Sequence, residues 1–396
     1  MSRLWPNVKL GDVLRLYDNS VPVEELGEIN LAGVYSFGRG LFKRGSMSPT
    51  ETSYKTYNRL VADDFVISRP KAWEGALARV TPEFEGWYLS PVFPTFRADR
   101  ERLDPTFLEW FCKQENVWSE LVVKSRGIGA RRESVSPEQF LSLEIPLPPL
   151  AEQQRIVKRI EEIAAKIAEA RSLRHHAIAE AEALLMASRS DAILNCEADA
   201  ISLGDCCTAV IDNLHSNPRY SETGSIPCVR SPDVGYGTLN LEGALRTDEN
   251  EYRRRTVRGK PIEDDIVLVR EGGGTGKCAL VLKEQRFSLG QRVMMLRLNQ
   301  QRVLPRFFLH QMLSPLVQEK QIGPLCKGSA SPHLNVGALR GLHMQIPPLT
   351  EQQRIVAYLD SLQSKVDALK KLQGETSAEL DALMPSLLDK AFKGKL

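Results

Sequence analysis

Several features that define common classes of protein are missing from this 396-residue sequence. No run of 18 apolar residues occurs, so no membrane-spanning helix is predicted, and the N-terminus lacks the apolar segment of a signal peptide. The seven cysteines are odd in number and include no Cys-x-x-Cys pair, and the six histidines include no His-x-x-x-His pair. These absences argue against a disulfide framework and against a metal site. We therefore expect a cytoplasmic protein that binds no metal and no membrane.

The chain also has almost no excess of charge of either sign. Its 52 basic and 50 acidic residues give a net charge of +2. A protein that coats DNA without sequence preference would carry a large basic excess. Any contact with nucleic acid must therefore use local basic clusters, which occur within residues 39–44, 124–132 and 253–260. A solvated, ion-paired surface is the alternative for each cluster.

The sequence contains a long internal repeat. Pro-Pro-Leu-Ala-Glu-Gln-Gln-Arg-Ile-Val at residues 148–157 recurs at 347–356 with a single change, Ala to Thr. Asp-Asp-Phe-Val-Ile-Ser-Arg at 63–69 matches Asp-Asp-Ile-Val-Leu-Val-Arg at 264–270, and Gly75 then falls on Gly276. The near-constant shift of about half the chain indicates that whole domains were duplicated. The poor match between these anchors indicates that the two copies diverged in what they contact.

Each repeated motif introduces a long amphipathic helix. Ten positions from 156 to 188 follow one another in alternating steps of four and three, and eight of them are apolar. The ten equivalent positions from 355 to 387 also include eight apolar residues. This 3.5-residue spacing is typical of a coiled coil, and a polar residue, Arg174 or Gln373, stands at the equivalent step of both helices. We expect the two helices to pack antiparallel on each other rather than to cover separate cores. The predicted seam residues are Ile156, Ile160, Ile163, Ile167, Leu184, Ile355, Leu359, Leu362, Val366, Leu369, Leu380 and Leu383.

Two details of the second helix are also predicted. Thr350 and Gln353 have the spacing of a capping box, which would satisfy two N–H groups at the helix start. Pro385 should stop or kink the helix near its end, because proline lacks the N–H that continues the hydrogen-bond ladder.

The regions before each helix have a different pattern. Short runs rich in branched residues, such as residues 266–269 and 293–298, alternate with Gly/Pro/Asn/Asp clusters and predict strands. One helix is expected in each copy, at residues 104–113 and 305–313. The predicted fold class is α+β: two α/β domains in tandem, each with a strongly bent sheet, separated and followed by the long helices. The boundaries are 1–147 and 191–345 for the domains, and 148–190 and 346–396 for the helices.

Known catalytic motifs do not fit this chain. The glycine-rich segment 272–277 is not a nucleotide-binding P-loop, because Glu271 stands where the first glycine is needed and Cys278 where a hydroxyl should bind magnesium. Gly276 aligns instead with Gly75, which predicts a strand-turn corner. No lysine has an acidic residue two positions before it, as a common nuclease motif requires, and two faint methyltransferase-like segments are imperfect. We expect the chain to have no catalytic activity of its own.

Two diverged domains joined by two closely matching helices, each led by Pro-Pro-Leu-x-Glu-Gln-Gln-Arg-Ile-Val, resemble the specificity (S) subunit of Type I restriction–modification enzymes. The C-terminal segment 382–396 is also similar to that family's ending. The resemblance covers the whole chain. It implies that residues 1–147 and 191–345 are target-recognition domains, each reading one half of a bipartite site in double-stranded DNA.

The resemblance also implies partners and cofactors. Two methylation (M) subunits would dock on the helices, carry S-adenosylmethionine and methylate adenine. Restriction (R) subunits would add ATP and magnesium, and this chain would hold no cofactor. The helices would set the distance between the half-sites, centred roughly 10–14 base pairs apart. Two alternatives stay open: a coiled-coil scaffold that organises partners without reading DNA, and an enzyme with an unrecognised site.

Candidate DNA contacts are basic and aromatic side chains in loops after strands, because arginine commonly pairs with guanine and phosphate contacts position the protein. Arg69 and Arg270 occupy equivalent places, so a shared phosphate clamp or a structural ion pair is favoured for them over sequence reading. The full set is Arg39, Lys43, Arg44, Arg69, Lys71, Arg126, Arg131, Arg132, Arg230, Tyr236, Arg253, Arg254, Arg270, Lys277 and Lys327.

Overall fold

The computed structural model describes residues 5–125, 134–326 and 332–396, without the side chains of 123–125. The chain divides into two compact units. The first unit combines Met1–Leu173 with Glu375–Leu396, and the second unit is Arg174–Gly374. The long helix Leu150–Leu194, here called the central helix, therefore contributes residues to both. Candidates Arg126, Arg131, Arg132 and Lys327 lie outside the described residues.

The first unit is built on three sheets. A four-stranded antiparallel sheet has the order Leu14–Tyr17, Thr95–Ala98, Phe65–Ile67, Leu77–Arg79. A five-stranded sheet has the order Ser20–Pro22, Thr56–Arg59, Tyr88–Leu89, Ile29–Val34, Leu41–Met47. Asn7–Lys9 pairs with Glu144–Pro146 and ties the start of the domain to its end. The helices are Pro105–Cys112, Glu115–Ser125 and Pro137–Leu141.

The second unit repeats this plan with a smaller second sheet. Its four-stranded sheet has the order Cys207–Asp212, Val293–Leu298, Ile266–Val269, Cys278–Leu280, and Asp199–Ser202 pairs with His343–Ile346. A three-stranded sheet has the order Arg246–Thr247, Ile226–Val229, Ser288–Leu289. The helices include Leu203–Cys206, Glu249–Arg255, Pro305–Met312, Pro315–Val317, Gly323–Cys326 and Val336–Arg340. Each unit thus has separate sheets in place of one strongly bent sheet.

A buried ion pair explains the repeated Asp-Asp motif. Arg97 donates two hydrogen bonds of 2.8 Å to Asp64, and Arg297 donates two of 2.9 Å to Asp265. The aspartate before each of these has a positive φ of 67° or 71°, which turns the chain into the strand. Such bidentate pairs fix geometry strongly, so both copies keep the same central sheet.

The central helix packs against the C-terminal helices, Leu349–Glu375 and Ser377–Phe392. In the second unit, Glu182 contacts Lys370 at 2.5 Å, and Arg189 donates to Gln363 at 2.9 Å. Residue numbers rise along one helix as they fall along the other, so the pairing is antiparallel, as predicted. Of the seam candidates, Ile156, Ile160, Ile167, Ile355, Leu359 and Val366 are buried, and Ile163, Leu362, Leu369 and Leu380 are half-buried.

Two seam residues were predicted wrongly. Leu184 is 57% exposed and Leu383 is 48% exposed, whereas Leu185 is buried and Met384 is half-buried. A straight α-helix advances 100° per residue, so after four heptads a 3.5-residue pattern has drifted by about 80°. The next residue along each helix then returns to the packed face.

Two predictions about the helix ends are also corrected. The second helix begins at Leu349, and the carbonyl of Pro348 accepts the N–H groups of Glu351 and Gln352, so Thr350 is not its cap. Pro385 lies inside Ser377–Phe392, and the interruption comes at residue 376 instead. Gly374 lies two residues before this break, and glycine disfavours helix strongly.

Each unit has an apolar core that includes part of the long helices. In the first unit, the ring of Phe392 lies 5.0 Å from that of Phe107, and Ile156 and Ile160 are fully buried in the same cluster. The corresponding cluster of the second unit contains Ile355, Leu359, Phe307 and Phe308. The helices therefore pack on each other and also cover the core of each domain, so the expectation that they would not cover separate cores is wrong.

Candidate nucleic-acid interface

A buried glutamine fixes each helix start to its domain. Gln153 donates to the carbonyls of Arg102 and Pro148 at 2.7 and 2.9 Å, and its side-chain oxygen accepts the N–H of Asp104 at 2.9 Å. Gln352 makes the same three bonds with Arg302, Pro347 and Leu304, at 2.8 Å each. Both glutamines are fully buried. This arrangement gives the Pro-Pro-Leu-x-Glu-Gln-Gln motif a structural role.

A glycine corner follows the third strand of each four-stranded sheet. Gly75 and Gly276 have φ of 78° and 94°, a left-handed conformation that favours glycine. A Cβ on either would lie 2.5 Å from Trp118 or Gln318, respectively. Trp118 and Gln318 in turn donate to the carbonyls of Cys112 and Met312, both at 2.6 Å. The predicted strand-turn corner is confirmed in both copies.

Cations and aromatic rings alternate along one edge of the first unit. The guanidinium of Arg39 lies 4.6 Å from the ring centre of Tyr35, and Tyr35 packs on Phe42 at 4.3 Å. The Lys43 ammonium is 5.3 Å from the ring centre of Trp87. Arg39, Lys43 and the neighbouring Arg44 are exposed. Lys43 and Arg44 belong to the strand Leu41–Met47, which forms the edge of the five-stranded sheet.

The second unit places a similar pair of contacts near its glycine corner. Lys277 lies 5.6 Å from the ring centre of Tyr236, and Arg230 lies 5.8 Å from that of Tyr220. Both rings are exposed. A ring beside a cation offers an apolar face and a positive charge together, which suits contact with stacked bases and phosphates.

Two candidate DNA contacts, the half-buried Arg254 and the buried Arg270, pair with carboxylates of their own domain. Arg254 donates to both oxygens of Glu251, and Arg270 is 6% exposed, with partners Asp212 at 2.5 Å and Glu271 at 3.0 Å. Arg270 therefore forms a structural ion pair, which was one of the two roles that the sequence analysis favoured for it.

Other candidates differ in how they are held. Lys71 bonds Glu74 at 2.6 Å, and Arg253 lies 3.5 Å from Glu249. Arg69, which is equivalent to Arg270, is exposed. The two copies therefore use this arginine differently.

The described ranges contain no cluster of metal ligands, and three of their cysteine thiols are poorly reactive. Burial raises the pKa of the thiols of Cys206, Cys207 and Cys278 to about 12, which keeps them protonated and poorly nucleophilic. Within those ranges, no group of three His, Cys, Asp or Glu side chains is placed to hold a metal ion. None of the described helices combines the length and apolar character needed to cross a bilayer.

Sequence reasoning missed two kinds of residue. The anchoring role of Gln153 and Gln352 depends on main-chain groups about 50 residues away, which no local pattern reveals. Phe37 is a second case, since the candidate set contained the nearby Arg39 but not this ring. Its ring is 64% exposed, and the signal that could have found it is its alignment with Tyr236, 199 positions later.

A family model agrees with the duplicated architecture. The model described as "Type I restriction modification DNA specificity domain" matches residues 3–173 and again residues 203–376. Among curated proteins, the chain is similar to the specificity subunit of the Type I restriction enzyme EcoBI from Escherichia coli, with 24% identity over 279 residues. That alignment covers 64% of this chain, which spans 58% of the length of that relative.

Solved structures are similar over almost the entire chain. The HsdS subunit from Thermoanaerobacter tengcongensis has a TM-score of 0.65 and 25% identity, with 99% of this chain and 97% of that chain covered. A chain from work on complex assembly and conformational transition of the type I R-M system has a TM-score of 0.74 and 23% identity. Its coverage is 99% of this chain and 98% of that chain, and it supports the fold alone.

Proposed function

The chain belongs to the Type I restriction modification DNA specificity family, and from that membership we propose that it reads a bipartite DNA target for a Type I restriction–modification complex. Residues 1–147 and 191–345 act as the two target-recognition domains. The observation that carries the proposal is the duplication itself. The family model matches both halves, and each half keeps the same Arg–Asp pair and glutamine anchor. The second sheet differs, with five strands in the first unit and three in the second. Two domains that share these internal contacts but differ in the second sheet are suited to reading two different half-sites.

The long helices serve as the docking surface for two methylation subunits. Leu173 and Leu372 are 61% and 58% exposed, although both are large and apolar. They stand 199 positions apart, so each helix offers one at the equivalent step. Two equivalent apolar positions fit two identical partner subunits.

The chain itself is not catalytic in this proposal. S-adenosylmethionine belongs to the methylation subunits, and ATP and magnesium belong to restriction subunits that join the complex. The assembly works in the cytoplasm, which is consistent with seven free cysteines in the chain.

The docking proposal has a direct test. Leu173→Asp and Leu372→Asp should each reduce copurification of the methylation subunit, while the midpoint of thermal unfolding stays unchanged because the side chains are exposed. Alanine at the exposed Leu194 is the control, since it removes an exposed leucine from the end of the central helix. Normal copurification of both aspartate variants would contradict docking at these positions.

DNA reading is tested by affinity and its dependence on salt. The full chain, with and without the methylation subunit, is titrated against a duplex carrying the target found by mapping methylated adenines in the host genome. Each phosphate contact contributes about 0.9 to the slope of log affinity against log salt. Replacing Arg39, Lys43 and Arg44 by alanine together should therefore flatten the slope by about 2.7 if all three contact phosphates.

The matched control replaces three exposed arginines of the central helix, Arg155, Arg159 and Arg171, by alanine in the chain without its partner. Their removal should leave the slope unchanged. Equal affinity for target and scrambled duplexes by the wild-type complex would reject sequence reading and favour a scaffold. Methyl transfer or cleavage by the purified chain alone would reject the non-catalytic role.

A further inference from the structure

We infer that Phe37 and Tyr236 are equivalent specificity-determining residues, each placing an exposed aromatic ring against the bases of its own DNA half-site. This inference rests on the proposed function and adds the residues that make the apolar part of the reading. The two rings are 64% and 55% exposed, which is unusual for side chains of this size.

A tight turn carries each ring, with four residues between Tyr35 and Gly40 in the first unit and two between Gly235 and Thr238 in the second. Gly38 and Gly237 follow the rings and have φ of 63° and 92°. The N–H of Gly38 donates to the carbonyl of Gly75 at 2.9 Å, and the N–H of Gly237 donates to the carbonyl of Cys278 at 2.8 Å. The first turn is thus bonded to its glycine corner, and the second to the strand that begins two residues after its corner.

A second contact confirms that the turns are equivalent. A Cβ on Gly38 would lie 3.0 Å from the Lys113 side chain, and a Cβ on Gly237 would lie 3.6 Å from that of Leu313. Lys113 and Leu313 each follow the last residue of corresponding helices, Pro105–Cys112 and Pro305–Met312. The turns therefore occupy one place in the duplicated frame, although the sequences around them have diverged.

The backbone holds Phe37 in an unfavourable conformation. Its φ is 65°, a left-handed value that bulky residues rarely adopt. A hydrogen bond of 2.8 Å from its N–H to the Glu74 carbonyl keeps it there. Backbone strain of this kind is concentrated at functional sites. The Phe37 ring makes an edge contact with Trp118, with 6.3 Å between the ring centroids, but most of the ring is exposed, so this contact alone does not account for the strain.

The surroundings of the rings favour DNA as the occupant. Lys277 lies 5.6 Å from the Tyr236 ring centre, and Arg39 follows two residues after Phe37. A ring flanked by a cation can contact a base while the cation meets a phosphate. Phenylalanine makes only apolar contact, such as with a thymine methyl group or between base steps, whereas the tyrosine hydroxyl can also bond a base edge. The two half-sites should therefore be read with different chemistry.

The experiment uses the full chain assembled with its methylation subunit and three duplexes. One duplex carries the mapped target, and each of the others has one half-site scrambled. Phe37→Ala should lower affinity for the target by about 10- to 100-fold, the loss expected when a base–aromatic contact is removed. Phe37→Ala should also remove discrimination between the intact and the scrambled form of one half-site, while discrimination at the other half-site stays. Tyr236→Ala should have the same effect at the other half-site.

Conservative and matched variants separate ring contact from folding. Phe37→Tyr and Tyr236→Phe keep the rings and should retain most of the affinity. Tyr54→Ala and Leu282→Ala remove other exposed apolar side chains, one from each unit, and should change nothing. Thermal unfolding midpoints should match the wild type for all variants.

The outcomes of this experiment distinguish failure of the inference from failure of the proposed function. Wild-type discrimination in both alanine variants would overturn the inference while leaving the proposed function standing. Equal weakening on target and scrambled duplexes would place the rings on the DNA backbone and also overturn base reading. Lack of discrimination by the wild-type complex would instead refute the proposed function.

Discussion

At the residue scale, the two buried glutamines do more than their polarity suggests. Each makes two hydrogen bonds to a loop about 50 residues earlier and a third to a proline that precedes its own helix. Neighbouring Gln154 and Gln353 are exposed. The motif therefore contains one structural glutamine and one surface glutamine in each copy.

This difference gives a controlled prediction. Gln352→Leu should lower the free energy of unfolding of the second unit by on the order of 3 kcal/mol, because a buried main-chain group without a partner costs about 1–3 kcal/mol. Gln353→Leu, one position later and exposed, should cost little. Urea unfolding followed by circular dichroism measures both. Similar losses for the two variants would contradict the anchoring role.

A second residue-scale prediction concerns acid. The Arg254 hydrogen bond is the largest cause that lowers the pKa of Glu251, from 4.5 to about 2, and Arg255 is also bonded to this carboxylate. Because the folded pKa is below the unfolded one, the stabilisation is complete above about 4.5 and is lost as the pH falls towards 2. Wild type should therefore lose more stability than Glu251→Gln between pH 6 and pH 3. Parallel pH profiles in urea unfolding would argue against this ion pair.

At the element scale, the register of the helix seam is the instructive feature. Leu185 lies 29 residues after Ile156, and Met384 lies 29 residues after Ile355. Twenty-nine residues at 100° each return within about 20° of the starting face, whereas 28 residues fall about 80° short. Both helices thus shift register at the same step.

Neighbouring leucines make this shift testable. Leu185→Asp would place a charge in a packed, apolar site and should destabilise the second unit by several kcal/mol. Leu184→Asp changes an exposed residue and should leave the thermal unfolding midpoint within a few degrees of the wild type. The opposite order of midpoints would restore the strict heptad seam.

Features that depend on nearby residues could be predicted from the sequence, and features that depend on distant residues could not. The helices and the strands at 266–269 and 293–298 were predicted, because short-range periodicity determines them. The duplicated frame was predicted because its anchors recur at nearly constant spacing. The internal pairing of Arg254 with Glu251 was missed, because a basic cluster has the same sequence whether it faces solvent or a buried carboxylate.

The difference between the five-stranded and three-stranded sheets was missed for a related reason, because it depends on packing between distant segments, which composition does not encode. The interruption at residue 376 was missed although Gly374 is a local signal for it, because the apolar seam pattern resumes beyond this segment. The exposed candidates Arg39, Lys43 and Arg44 stay predictions until DNA binding is measured.

At the scale of the whole molecule, the two long helices give a prediction about the target. If they set the distance between half-sites, inserting four residues after both Ala170 and Leu369 adds about 6 Å to each helix, or one to two base pairs of DNA. Methylation mapping should show a longer unread gap between unchanged half-sites. An unaltered gap, or rewritten half-sites, would contradict the role of the helices as spacer.

The glutamine anchors have a consequence for how such a protein evolves. Gln153 and Gln352 bond their domains only through main-chain carbonyl and N–H groups. Main-chain atoms are the same whatever side chains surround them, so mutations on the outer surface of a domain leave its attachment intact. Under the proposed function, small changes in exposed side chains would therefore alter the DNA target without disturbing this attachment. The glutamine attachment does not depend on the side chains that would determine the target, so the target can vary while the attachment stays the same.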